Sequence, residues 1–172
     1  ELAELNFSQG SLHKFLLEEM NKKSGKVFYM GAAQKTLDKI KEKIKLEYPN
    51  IIVESYSPPF KPEFTEEENQ EIINRINSFN PDVLFVGMTA PKQEKWLHSH
   101  KNKLNFTISS CIGAVFDFYA GTVERPSDFW INLQLEWLGR LVKEPKRMWR
   151  RNFVSTPLFL LDIFLFKVRI KK

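Results

Sequence analysis

The chain has 172 residues, a formal charge of +5 and a pI of about 9.2, a length that allows one domain with a substantial core plus an appendage and excludes two full-sized domains. Its single cysteine, Cys111, excludes a disulfide framework and suits a reducing compartment, and no run reaches the roughly 18 apolar residues of a spanning helix. The basicity is local: after Trp137 there are ten Lys and Arg against two acidic residues, +8, which leaves −3 for everything before it. A basic tail of this kind attracts phosphates, whether in nucleic acid, anionic lipid or a diphosphate.

In chain order, residues 11–23 carry Leu12, Phe15, Leu16 and Met20 at helical spacing, and KVFYMG (26–31) reads as a strand ending on glycine. A second amphipathic helix over 33–48 turns Leu37, Ile40, Ile44 and Leu46 inward and is closed by Pro49, and 51–56 is the next strand. PPFKP (58–62) is a loop. From Thr65, TEEE is a capping-box signature for a helix through Ile72, Ile73 and Ile76 to Phe79. DVLFV (82–86), bounded by Pro81 and Gly87, predicts a buried parallel strand. A helix follows over about 91–100, and FTISSCIG (106–113) is the fourth strand. This alternation predicts an α/β fold, a parallel sheet with helices on both faces. Cys111, within an apolar run, is expected to pack in it.

GMTAPKQEKW (87–96) is the most informative segment, because ligands of a doubly wound sheet sit at the carboxyl end of such a strand. Gly87 permits close backbone approach, Pro91 sits near the first turn of the following helix, whose N–H groups face an anion, and Gln93 and Glu94 offer an amide beside a carboxylate. The plain alternative is an ordinary strand-to-helix turn with a solvated Gln–Glu pair. Beyond Gly113 the character changes: 114–127 is aromatic-rich, a loop or short helix. Residues 128–142 form a helix with Trp130, Leu133, Trp137 and Leu141 on one face, where Glu136 and Arg140 have the spacing of an i,i+4 ion pair. Glu144 and Pro145 break it and open another, which places Arg147, Arg150 and Arg151 on one face. A solvated basic face explains most such clusters, yet arginines favour bidentate phosphate contacts.

The last stretch has Thr156 as cap, Pro157 in the first turn, an apolar run interrupted by Asp162, then four cations. Fourteen helical residues cover only about 21 Å. Such a helix lies in the membrane interface with its lysines among anionic headgroups, or docks on the protein's own core. His98 and His100, two apart on a helix, point to different faces, so no metal site is expected, and the tail's cations adjoin Phe and Leu runs instead of forming a stacking groove, so nucleic acid is not an expected partner. The predicted boundary sets a core over 1–127 apart from a helical, basic and apolar appendage over 128–172.

Three ordered motifs, GMTAPKQEKW, GAVFDFYAGTVERP (113–126) and LEWLGRLVKEPKRMWRR (135–151), together resemble the WecG/TagA/CpsF family of bacterial glycosyltransferases. The match is dense from about residue 26 to residue 152. The resemblance implies a Rossmann-like core and no cofactor. It implies inverting, metal-independent transfer of a sugar, N-acetylmannosamine in the best-known members, from a UDP donor to a polyprenyl-diphosphate-linked acceptor sugar. It implies peripheral attachment to the cytoplasmic face of the bacterial cell membrane through the carboxyl-terminal appendage, in the making of surface polysaccharide or teichoic acid. It places Gly87, Gln93 and Glu94 in the sugar-nucleotide pocket and matches Arg140, Arg147 and Arg150 to diphosphate-binding arginines, with the region from Phe116 to Arg125 near the pocket wall.

The departures concern the general base. Family members usually begin with a further segment bearing an Asp proposed for that role, and nothing here aligns with it; Leu12 and Thr89 also stand where Asp and Gly are common. The chain, which opens on Glu1, is expected to be a fragment without that segment, and the in-chain candidates for the base are Asp117, Glu94 and Glu136. The alternative is a non-catalytic, truncated homologue that docks on membranes or partners through its tail. Which sugar moves, and whether the chain forms a homo-oligomer, stays open.

Overall fold

Four short runs rich in β-branched and aromatic residues form one parallel sheet in the computed structural model, which describes residues 12–122, 149 and 151–170. They are β1 (Lys26–Gly31), β2 (Ile52–Tyr56), β3 (Val83–Gly87) and β4 (Ile108–Cys111), in the order β2-β1-β3-β4. β3 is buried along its whole length, as a strand covered on both faces must be, whereas β2 at the edge alternates, with Val53 buried and Ile52 and Glu54 exposed. Asp82 pins the strand starts together: its carboxylate accepts from Lys26 N at 2.7 Å and its carbonyl from Ile108 N at 2.9 Å.

Helices cover both faces. α1 (Leu12–Lys23), α2 (Gln34–Glu47) and α5 (Val115–Ala120) pack Leu16, Leu17, Leu37, Ile40, Ile44 and Phe116 onto Val27, Tyr29, Val83 and Phe85. α3 (Glu66–Phe79) and α4 (Lys92–His100) pack Ile72, Ile73, Ile76 and Trp96 onto Phe28, Met30, Leu84 and Val86. The capping box at α3 is complete: Thr65 Oγ1 accepts from Glu68 N and Glu68 Oε2 accepts from Thr65 N. The expected 114–127 segment holds the short helix α5.

One expected inward position is corrected, and on α1 the buried stripe differs from the apolar spacing. Leu46 is 84 % exposed, because it lies two positions past Ile44 and so on the opposite side of α2; the inward 3–4 spacing continues instead to Tyr48, partly buried against the same core. On α1 the buried stripe is His13, Leu16, Leu17 and Met20, and Leu12 and Phe15 stay exposed, because His13 finds a hydrogen-bond partner inside. Cys111 is only partly buried, on an edge strand.

Contacts divide the chain into two compact units, Glu1–Val123 and Glu124–Lys172. In the second, a π-helical turn (Arg151–Ser155) leads into α6 (Thr156–Ile170). α6 starts at Thr156 itself, continuing the turn before it. Leu158, Phe159, Leu161, Ile163, Phe164, Leu165 and Phe166 are exposed on it, on several sides of the helix, and no described helix is long and apolar enough to cross a membrane.

Candidate functional site

The chain leaves β1 toward β2 on one side of the sheet and returns to β3 on the other, so the loops that follow β1 and β3 diverge and open a crevice at their carboxyl ends. Gly31 and Gly87 are register partners there. Gly31 has φ of +110°, and a side chain on it would strike the Gly87 carbonyl at 2.4 Å. That carbonyl accepts from Ala32 N at 2.8 Å, which ties the two loops at their roots. A Cβ on Gly87 would lie 2.6 Å from the Phe116 ring. What comes close to this glycine is therefore an aromatic ring of α5.

Gln93 stands at the first turn of α4 with only 5 % of its surface exposed. Its Oε1 accepts from Met88 N at 3.2 Å and its Nε2 donates to Glu94 Oε1 at 2.8 Å. It also lies about 3.5 Å from where a side chain on Gly113 would begin, so it touches the loop after β4 as well. Glu94 itself is exposed, and burial followed by the Glu94 charge pushes the Cys111 thiol up from its ordinary pKa. Gly87, Gln93 and Glu94 are thus brought together around the β3–α4 turn, with Met88, Cys111 and Gly113 beside them. α4 begins at Lys92 with Pro91 as its cap, after a cis Ala90–Pro91 peptide.

Asp117 belongs to the first turn of α5, four residues past Gly113. Its Oδ1 accepts from Thr36 Oγ1 at 3.3 Å, in the first turn of α2, and from Thr122 Oγ1 at 3.1 Å. It therefore links the helices that follow β1 and β4, with Oδ2 unengaged among the described residues. Glu136, Arg140, Arg147 and Arg150 lie outside the described residues.

The β2–α3 loop forms the other rim of the crevice. Ser57 Oγ donates to the Ala32 carbonyl at 2.7 Å, and Lys92 Nζ donates to the Lys61 carbonyl at 2.6 Å while lying 3.5 Å from the centre of the Phe64 ring. Lys61 in turn pairs with Glu68 at 2.6 Å. Partial burial holds the Lys92 ammonium below its ordinary pKa, with Glu68 opposing. These tethers were not legible in the motifs, because they join residues 31 and 25 positions apart.

A separate cluster also escaped the sequence reading. His13 Nε2 pairs with Tyr29 Oη at 2.7 Å, and the imidazole packs between Phe85 and Tyr119. Burial, then the Lys43 charge, lowers the His13 pKa to about 4, so the ring is neutral. The available signal was its spacing of three, four and seven to Leu16, Leu17 and Met20.

A broad open groove of about 980 Å³ runs along α3 and the β2 edge, but Glu54, Glu66, Glu67 and Glu71 line it and its Arg75 is paired with Glu71 at 2.8 Å. That charge is wrong for a phosphate-bearing ligand, and we place the candidate site at the β1/β3 crevice. Among the described residues no group of three His, Cys, Asp or Glu side chains could hold a metal ion. His100 Nδ1 donates to the Trp96 carbonyl at 2.8 Å.

The model of the family described as Glycosyl transferase WecG/TagA/CpsF matches residues 3–172. N-acetylglucosaminyldiphosphoundecaprenol N-acetyl-beta-D-mannosaminyltransferase of Bacillus subtilis (strain 168) is 34 % identical over 150 residues, 87 % of this chain and 56 % of the relative. The proteins of the same name from Bacillus spizizenii (strain ATCC 23059 / NRRL B-14472 / W23) and Staphylococcus aureus (strain MW2) are 30 % and 31 % identical, over 84 % and 86 % of this chain and 54 % and 55 % of their own lengths. The chain spans about half the length of the curated relatives it matches.

Proposed function

The chain belongs to the WecG/TagA/CpsF glycosyltransferase family, and on that premise we propose that it takes part in moving N-acetylmannosamine from a UDP donor to an N-acetylglucosamine carried on a polyprenyl diphosphate. The relatives' name supports the transferred sugar and the lipid-linked acceptor. The observation that carries the reading to this chain is the β3–α4 turn: the motif folds at the sheet's switch point, where Gln93 is buried and holds Glu94 at the crevice. The family match favours this over a docking module without catalysis.

In the proposed reaction Glu94 or Asp117 takes the proton of the acceptor hydroxyl, since each combines a carboxylate held on one oxygen by a neighbour with a place beside the crevice loops. Inverting transfer without a metal needs cations for the leaving diphosphate, the role proposed for Arg140, Arg147 and Arg150. The exposed apolar surface of α6 and the cations that end the chain support peripheral attachment to the cytoplasmic membrane face, with a core over 1–127 and an appendage over 128–172.

The test is transfer from UDP-N-acetylmannosamine to a short-chain polyprenyl-diphosphate N-acetylglucosamine by the chain and by Glu94→Gln, Asp117→Asn, Arg147→Ala and Arg150→Ala. Both amide substitutions keep an oxygen for the observed donors, so a fall of about 10²- to 10⁴-fold in one of them identifies the base. Wild-type turnover that neither arginine substitution alters would refute their assignment to the diphosphate, and failure to bind UDP would refute the donor.

A further inference from the structure

We propose that Phe60 is a stacking platform for the pyrimidine base of the nucleotide donor, an inference that rests on the proposed function above. Phe60 is fully exposed, 102 % by surface, although its loop is held firmly. Pro58, Pro59 and Pro62 fix their own φ angles. Ser57 is fastened to the Ala32 carbonyl at the end of β1, and the Lys61 carbonyl to Lys92, the residue before Gln93. Consecutive Cα atoms are about 3.8 Å apart, so Phe60, one residue from one tether and three from the other, is confined to the mouth of the crevice. The exposure is thus built into the loop. Phe64, four positions on, shows what the same loop does with an aromatic ring it packs: that ring lies under the Lys92 ammonium.

The surrounding charge selects the occupant. Glu63, Glu66 and Glu67 are exposed near the loop, and Lys61 is paired with Glu68, so the surface at Phe60 itself disfavours anionic lipid headgroups and leaves a nucleotide's phosphates to lie away from the ring, toward the glycine loops after β1 and β3. A neutral, planar ring is what a rigid phenyl group here can take, and of the parts of a nucleotide-sugar only the base is one. The loop is already ordered, so little conformational freedom is lost on binding. Gln93 and Glu94, at the other rim of the same opening, are left to the sugar hydroxyls.

The test is calorimetric titration of the full chain with UDP and with UMP, for wild type, Phe60→Ala and Phe60→Tyr, alongside thermal melts. Phe60→Ala is expected to weaken both ligands by the same factor, about 5- to 150-fold, the range for stacking of one base, while Phe60→Tyr binds as wild type and all three melt together. Binding by Phe60→Ala within twofold of wild type overturns the inference and leaves the proposed function standing. If Phe60→Ala instead loses only its co-sedimentation with neutral phosphatidylcholine vesicles, the ring faces lipid and the base assignment is wrong. If wild type binds neither nucleotide, the donor reading itself fails, and the inference with it.

Discussion

Placing a methyl group on Gly87 tests whether the crevice is shaped by packing beneath it. In Gly87→Ala the new Cβ would lie 2.6 Å from Cδ2 and Cε2 of Phe116 and 2.8 Å from Cγ. Carbon atoms prefer separations of about 3.5–4.0 Å, so the ring must retreat by roughly 1 Å. It has nowhere to go. Phe116 is 1 % exposed and meets Tyr29 edge to face with ring centres 5.2 Å apart, while Tyr29 is itself fully buried and pinned by His13. Overpacking of a filled core costs about 1–3 kcal/mol, and with rigid rings as neighbours the expected loss is in the upper half of that range. For a chain of this size 2 kcal/mol corresponds to a fall in Tm of roughly 4–8 °C.

The assay is urea denaturation followed by circular dichroism, on wild type, Gly87→Ala, Phe116→Leu and the double variant. Leucine lacks the ring atoms that the methyl group strikes. The two changes should therefore couple, the double variant being about 1–2 kcal/mol more stable than the sum of the single losses predicts. Losses that add to within about 0.5 kcal/mol, or a Gly87→Ala chain as stable as wild type, would refute the packing explanation for this glycine.

Thr65→Ala removes the capping box of α3 and should cost about 1 kcal/mol in the same urea titration, with no gain in exposed core as judged by an unchanged m-value. His13 has a folded pKa of about 4 against an ordinary 6.5, so the unfolded chain binds the extra proton between those values; its stabilising effect is complete above pH 6.5 and falls away as the pH drops toward 4, by roughly 3 kcal/mol at most. His13→Phe should flatten the stability profile in that window, measured by melts from pH 4 to 7, and an unchanged slope would place the pH sensitivity elsewhere. Lys92→Met removes the tether to the Lys61 carbonyl and should quicken amide exchange in the β2–α3 loop while leaving β3 protected.

The sheet and its helices were legible because their periods are: β3 is an unbroken apolar run, α3 carries its capping box, and Ile72, Ile73 and Ile76 sit inside as their spacing requires. Register within a helix was less so. Leu46 is apolar yet outside, and His13 is polar yet inside, because a hydrogen bond to Tyr29 decides what hydrophobicity alone cannot. At the site, Gln93 and Glu94 were legible as a motif and as an alternative to a solvated pair, but what Gln93 holds was not, since the Met88 amide and Gly113 reach it only through the fold. The loop at 58–62 read as a loop and nothing more. Its tethers depend on a lysine carbonyl and an alanine carbonyl, groups that every residue carries and no composition reveals.

The order of the Gln–Glu pair follows from these bonds. The side chain at position 93 must accept from Met88 N with one atom and donate to Glu94 with another, in a place almost closed to water. Glutamate there would accept but not donate, and would set two carboxylates within hydrogen-bonding distance of each other. Leucine would leave the Met88 N–H without its partner, at about 1–3 kcal/mol. An amide meets both demands, so Gln93 shapes the turn before any ligand arrives. A change at Gln93 therefore alters the turn, and a loss of rate there would not by itself report on the proposed chemistry. Glu94 is exposed and able to keep its bond from Gln93 when changed to glutamine, so at that position, as at Asp117, a loss of rate would bear on the proposed proton transfer and not on the turn.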